Sequence, residues 1–197
     1  VPAREVRASR ESIQPFSAVA REMQRGVSRA PSRTRPEPEG EVMHKFQKTI
    51  DIKAPVQKVW EFITLPTNMP GVWPSMISVA NLVPKGDGTH DFDWIYKMAG
   101  VHFHGQAKVE ASNPGKLAVV RCTGGIPSVF RWGFAANGTG TRLSLEVEYS
   151  LPTPLIGKIV EAIVAKSNER EMELMLANTK DMLEHQTAGV AVGAAAH

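Results

Sequence analysis

The 197-residue sequence contains one cysteine, Cys122, so no internal disulfide can close. That scarcity excludes a disulfide-built scaffold and favours a reducing compartment. No uninterrupted apolar run approaches the ~18 residues of a membrane span, which argues against a transmembrane helix. No secretory apolar core is present either, and the cytoplasm is the expected location. The Arg-rich start leaves an organelle as the alternative, although its five glutamates speak against a transit peptide. Excess charge is missing from the body of the chain as well. Residues 1 to 40 hold eight arginines and five glutamates with no lysine or aspartate, so this arm carries the whole formal net charge of +3. The remaining 15 basic and 15 acidic residues cancel. A neutral body offers no cationic face to a phosphate backbone, and specific nucleic-acid binding is not expected.

What is present reads as one ordinary domain with extra length at its ends. Hydrophobic residues make up 42% and charged residues 22%, as in globular proteins generally. Residues 1–41 form a basic arm rich in Arg, Ser and Pro that ends in a proline-broken linker. Phe16, Val19, Met23 and Val27 recur there at helical spacing, so the arm reads either as a disordered segment or as a short amphipathic helix that docks a protein partner. The folded part spans 42–186, and residues 187–197, mostly small, read as a flexible tail.

Within 42–186 the period of the apolar residues changes twice. His44, Phe46, Lys48, Ile50 and Ile52 alternate with Lys45, Gln47, Thr49 and Asp51, the pattern of a half-buried strand. Pro55 then opens a helix whose apolar face is Val56, Val59, Trp60 and Ile63. Pro66, Pro70, Gly71 and Pro74 break the next stretch into turns around Trp73. Alternating strands follow from Ser75 to Ser150. After Pro154 only Gly157 interrupts a helical stretch reaching Glu184, and its many apolar residues, Ile163, Met172, Met175 and Leu176 among them, require it to lie against the sheet.

The central hairpin can be set in register residue by residue. A two-residue turn at Ala99-Gly100 places Met98 opposite Val101, Tyr96 opposite Phe103, Trp94 opposite Gly105 and Phe92 opposite Ala107. The other face then pairs Lys97 with His102, Ile95 with His104 and Asp91 with Lys108, so rings sort from polar groups. With Asn137-Gly138 as the next tight turn, Trp132 faces Leu143 and Phe130 faces Leu145, and Val147 and Tyr149 extend the apolar face. An antiparallel sheet curled around one helix therefore encloses a pocket lined by Phe92, Trp94, Tyr96, Phe103, Phe130 and Trp132.

Lys53-Ala54-Pro55 through Val59-Trp60, the tryptophan of Val72-Trp73-Pro74, the strand opening Gly140-Thr141-Arg142-Leu143, and Leu176 to Lys180 with Leu183-Glu184 carry a resemblance. Over about residues 42 to 186 the chain resembles the polyketide cyclase/dehydrase branch of the START-like superfamily (SRPBCC). The resemblance implies an α+β helix-grip fold: a seven-stranded antiparallel sheet curled around a long C-terminal helix, with two short helices after strand 1. It also implies an internal cavity, since members bind lipids, sterols, isoprenoids or polyketides, and some catalyse ring closure or dehydration.

The candidate ligand-binding residues are Trp73, Phe92, Trp94, Tyr96, Phe103, Arg121, Phe130, Trp132, Leu145, Val147 and Ile163. Arg121 is the least determined of them. Counting forward from the central hairpin pairs it with Gln106 on the outer face; counting back from Trp132 pairs it with Ser128 on the inner face. One bulge or a changed loop length must reconcile the two. An inward guanidinium would want a carboxylate, phosphate or enolate. Arg121, Tyr96 and Tyr149 are also the candidate catalytic groups should the protein be a cyclase or dehydratase. His102 and His104 share a strand face with metal-ligand spacing, but the hairpin register turns them outward and no third ligand has a defined spacing. No metal and no cofactor is expected. Cys122 lacks a positioned base and reads as a buried structural thiol. The sequence thus predicts a carrier or sensor for a hydrophobic or amphipathic small molecule. The alternatives are a cyclase/dehydratase-like enzyme, and a macromolecule-binding protein acting through the arm.

Overall fold

Strand β1 (Met43–Ile52) shows the alternation the sequence carries: Phe46 and Ile52 are buried and Ile50 is half-buried, with exposed neighbours between them. Lys48 breaks the pattern, because its ammonium leaves the apolar face to meet Glu173 at 2.6 Å. The computed structural model describes residues 43–98, 100–150 and 158–194, and the side chains of the final helix from 166 to 185. The amphipathic segment expected at Phe16, Val19, Met23 and Val27 lies outside the described residues, as does the side chain of Ile163.

After β1 come helix α1 (Val56–Thr64), a single 3-10 turn (Pro66–Asn68) and the short helix α2 (Met69–Val72). Pro55 stands just before α1 with φ −58°, where its missing N–H breaks no helical bond. Val59, Trp60 and Ile63 are the buried face of α1. Six strands follow as a meander: β2 (Met76–Pro84), β3 (His90–Met98), β4 (Val101–Asn113), β5 (Leu117–Gly124), β6 (Ser128–Asn137) and β7 (Gly140–Ser150). The last element is helix α3 (Lys158–Ala194), which continues past Glu184, where the sequence reading ends it. All pairings are antiparallel, in the order β1-β7-β6-β5-β4-β3-β2. This is the helix-grip architecture, with the first strand placed at the far edge from the second.

The β3–β4 register is the one expected, Met98 opposite Val101 through Phe92 opposite Ala107. Its two faces separate as the pattern requires: Phe92, Trp94, Tyr96, Met98, Phe103 and Ala107 are buried, while His102, His104 and Lys108 are exposed. The β6–β7 register differs from expectation by two residues. Asn137 pairs with Gly140, so the turn is Gly138-Thr139, and Gly138 takes the left-handed conformation it needs at φ +62°. Trp132 therefore faces Leu145 and Phe130 faces Val147. A slip of two preserves the face, and the inward set Leu143, Leu145, Val147 and Tyr149 is unchanged.

Contacts from the curled sheet and the short helices hold α3 between Glu171 and Glu184. Lys180 donates to the Asp51 carbonyl, and the Lys53 N–H donates to the Glu184 carboxylate at 2.7 Å. Asn178 donates to the Val72 carbonyl at the end of α2 at 2.9 Å. Ser75 and Tyr96 both donate to the Glu171 carboxylate, Tyr96 at 2.9 Å. Beneath these ties Met172, Met175, Leu176, Thr179 and Leu183 are buried against the sheet.

Candidate functional site

The space between the sheet and α3 closes at one end and stays open at the other. At the closed end Trp60 meets Phe134 edge-on, ring centroids 5.2 Å apart, over buried Ile52, Leu143 and Leu145. At the open end lies a cavity of about 100 Å³. Its sheet wall is Met76 from β2, Phe92, Trp94 and Tyr96 from β3, Val120 and Cys122 from β5, Phe130 and Trp132 from β6, and Val147 and Tyr149 from β7, with Ile126 and Ser128 at the β5–β6 connection. Phe62, Ile63, Asn68, Met69, Val72 and Trp73 close it from the short helices, and Asn168, Met172, Met175 and Thr179 close it from α3. Among these lining residues there is no Lys, Arg, His, Asp or Glu.

Trp73 is the keystone of the open end. It follows α2 in an extended conformation that turns its indole back over the sheet. There it contacts Tyr96 and Phe130 edge-on, at centroid distances of 5.4 and 5.8 Å. Such T-shaped contacts align the positive edge of one ring with the negative face of another. One side chain thereby bridges β3 and β6, two strands that are not neighbours in the sheet.

Most lining residues expected from sequence meet here: Trp73, Phe92, Trp94, Tyr96, Phe130, Trp132 and Val147 all line the cavity, and Tyr149 joins them. Phe103 and Leu145 are buried but stand outside the lining. Phe103 covers Gly125 instead, where an added Cβ would come within 2.8 Å of its ring. The space beside Gly105 is filled as well. The Trp94 indole lies directly over it, so that a Cβ at Gly105 would sit 2.2 Å from the ring and 2.2 Å from the Thr123 carbonyl.

Arg121 does not enter the cavity. It pairs with Lys108 and Val129 on the outer face, and its side chain, 51% exposed, is forked onto the Glu110 carboxylate. Glu110 holds its guanidinium further toward the charged form. Two irregularities produce this outcome. Strand β4 shifts register between Val109 and Ala111, and the β5–β6 connection begins after the Cys122/Ser128 pair, one residue off the count that turned Arg121 inward. The inward residue is Cys122, whose buried thiol is pushed up to about 12. A thiol so protonated is a poor nucleophile.

The polar side chains of the cavity cluster near α3. Tyr96 donates to Glu171 at 2.9 Å, and burial first and the adjacent carboxylate second hold its phenol above the ordinary range. Asn168 was not singled out from sequence. Its carbonyl lies 3.5 Å from the Tyr96 hydroxyl and its amide donates to the Met98 sulfur at 3.4 Å. Burial raises the Tyr149 phenol too, and the Asn168 side chain stands close enough to offset part of that rise. The approach falls short of hydrogen-bond geometry, so the Tyr149 hydroxyl is unpartnered, as are the indole N–H groups of Trp73 and Trp94. Asn168 stands in the same helical stripe as Met172, Met175 and Thr179, a spacing visible in the sequence once polar members of the stripe are admitted. Among the described lining residues the site offers a shaped apolar volume with hydrogen-bond donors and no ionised side chain.

Comparison with known proteins agrees with this geometry. Residues 43–184, well over half the chain, match the family described as polyketide cyclase / dehydrase and lipid transport. Among solved structures, the protein TTHA0849 from Thermus thermophilus is similar at 17% identity and a TM-score of 0.63, over 71% of this chain and 97% of that one. A START superfamily protein from Mycobacterium smegmatis gives 15% identity and a TM-score of 0.61, covering 73% and 99%. The Zhui aromatase/cyclase from Streptomyces sp. R1128 gives 16% identity and a TM-score of 0.60, covering 74% and 96%. At these identities the likeness is one of fold. No curated protein matches the chain significantly. The chain belongs to the polyketide cyclase/dehydrase and lipid transport family.

Proposed function

We propose that the protein binds a hydrophobic or amphipathic small molecule in the cavity between the curled sheet and α3, as a carrier or sensor. One observation carries this reading: the cavity wall is built from aromatic rings and methionines, with no ionised side chain among the described lining residues. Burial of apolar ligand surface there would contribute roughly 25 cal/mol per Å². The volume of about 100 Å³ is below the ~300 Å³ at which drug-sized sites begin, so ligand uptake needs side chains to move. Met69, Met76, Met172 and Met175 suit that demand, because an unbranched thioether repacks at little cost.

An enzymatic cyclase or dehydratase reading needs a general base or acid near the ligand. Arg121 is turned away, Cys122 is held protonated, and both tyrosines are shifted toward the neutral phenol. Those groups can donate a hydrogen bond but have little capacity to abstract a proton, which favours binding over catalysis. Native mass spectrometry with organic extraction of gently purified protein, followed by titration with Nile red, tests the proposal. A stoichiometric apolar molecule, or saturable dye uptake at one site, supports it; an empty protein that also refuses the dye overturns it.

A further inference from the structure

The wall of the cavity contains a hydroxyl with nothing to hold. Tyr149 is 4% exposed, its hydroxyl oxygen is buried, and it makes no hydrogen bond among the described residues. Buried polar groups are otherwise paired almost without exception, so one left unpaired on a cavity surface marks where a ligand atom completes the set. The second member of the pair comes from α3. Asn168, 9% exposed, spends its amide on the sulfur of Met98 at 3.4 Å, and its carbonyl lies 3.5 Å from the Tyr96 hydroxyl, whose single proton goes to Glu171. Sulfur is a weak acceptor and 3.5 Å is the long limit for a hydroxyl donor, so the amide retains hydrogen-bonding capacity. Both residues line the cavity, and they stand near enough for Asn168 to act on the Tyr149 phenol.

We infer that Tyr149 and Asn168 form the polar anchor of the cavity, and that the group they bind is an uncharged carbonyl oxygen on an otherwise apolar molecule. This rests on the binding role proposed above. The nature of the atom follows from what surrounds it. Among the described residues, each unpartnered group of the wall can donate: the Tyr149 hydroxyl and the indole N–H groups of Trp73 and Trp94. An acceptor answers them. A carboxylate or phosphate is disfavoured by charge, since no cation is among the described lining residues and the Glu171 carboxylate stands three residues along α3 from Asn168. Tyr96 is not part of the anchor, because its proton is already committed to Glu171 at 2.9 Å.

Calorimetric titration with three bicyclic probes of similar size separates these claims: naphthalene has no oxygen, tetralone has one ketone, and naphthoate carries a negative charge. The intact chain should bind tetralone about tenfold more tightly than naphthalene, the scale of one net hydrogen bond, and naphthoate more weakly than either. Tyr149→Phe should bring tetralone down to the level of naphthalene while leaving naphthalene unchanged, and Asn168→Leu should act in the same direction. Without probe, Tyr149→Phe should melt at a higher temperature than the parent, because it removes a buried hydroxyl that has no partner. Equal affinity for naphthalene and tetralone, equal loss of both in Tyr149→Phe, or naphthoate as the tightest probe overturns the anchor while the cavity reading stands. Failure of all three probes overturns both.

Discussion

The two ends of the interior are built from the same sheet and the same helix, yet they are finished differently. Under α1, Ile52, Val59, Leu143, Leu145 and Leu176 are almost wholly enclosed, and the polar groups among them are paired. Thr141 donates to the Ala54 carbonyl at 2.7 Å and Thr64 donates back to the Trp60 carbonyl at 2.8 Å. Even the backbone is fitted there, since a Cβ on Gly140 would come within 2.5 Å of the Ile52 carbonyl. Beneath Trp73 the branched aliphatics give way to methionines and rings, a cavity opens, and buried donors are left unpaired. Close packing fixes a structure, whereas loose packing with spare hydrogen-bonding capacity leaves room for something else to fix it.

Substitutions at the two ends should therefore differ in kind. Trp60→Ala removes a ring from the closed end and should lower stability by about 3–5 kcal/mol in urea denaturation, with no ligand able to restore it. Gly105→Ala strikes the boundary between the ends. Its new methyl meets both the Trp94 ring and the Thr123 backbone, so a loss near the top of the ~1–3 kcal/mol overpacking range is expected, with weaker ligand binding from a displaced indole. Met172→Ala at the open end should cost only about 2 kcal/mol, the low limit for such a truncation, and should admit larger ligands in a dye-displacement assay. Equal losses at Trp60 and Met172 would erase the distinction.

Alkaline titration tests the open end without mutation. Both Cys122 and Tyr96 have folded-state pKa values above their ordinary values of 9.0 and 10.0. Above those values the unfolded chain has released protons that the folded chain retains, so stability falls as pH rises. The Cys122 contribution should be intact below pH 9.0 and lost progressively toward about 12, and Cys122→Ala should flatten that part of the curve. Native Cys122 should correspondingly resist iodoacetamide until the protein unfolds. Smallest of all is Arg121→Ala. The outer-face pair with Glu110 is half-exposed and screened, so the change should fall within about 1 kcal/mol and leave ligand affinity untouched.

Arg121 also shows where the sequence stops being readable. The β3–β4 hairpin could be set pair by pair because a short turn and a sharp division of rings from charges agree on one register. Period-two patterning predicts which residues share a face only while the count is unbroken, and neither the irregularity at Val109/Ala111 nor the length of the β5–β6 connection leaves a mark in composition. The β6–β7 hairpin survived a comparable error because its slip was two residues, which returns every side chain to the same face. The ring lining was legible for the same reason. Asn168 was not, because a search for apolar periodicity passes over the polar members of an apolar stripe. The indole of Trp94 lying over Gly105 depends on a rotamer, and a rotamer is not written in a pattern of residue types.

The position of β1 has a consequence for how the chain reaches this structure during synthesis. Met43 pairs with Ser150 and Ile52 with Thr141, so the strand that leaves the ribosome before all the others finds its neighbour last. The meander from β2 to β7 can zip up hairpin by hairpin as it emerges, each pairing local in the chain. Throughout that time Phe46, Ile50 and Ile52 have no sheet to join. Their exposure ends only when β7 is complete and α3 follows to be gripped, so among the described strands β1 waits longest for its partner.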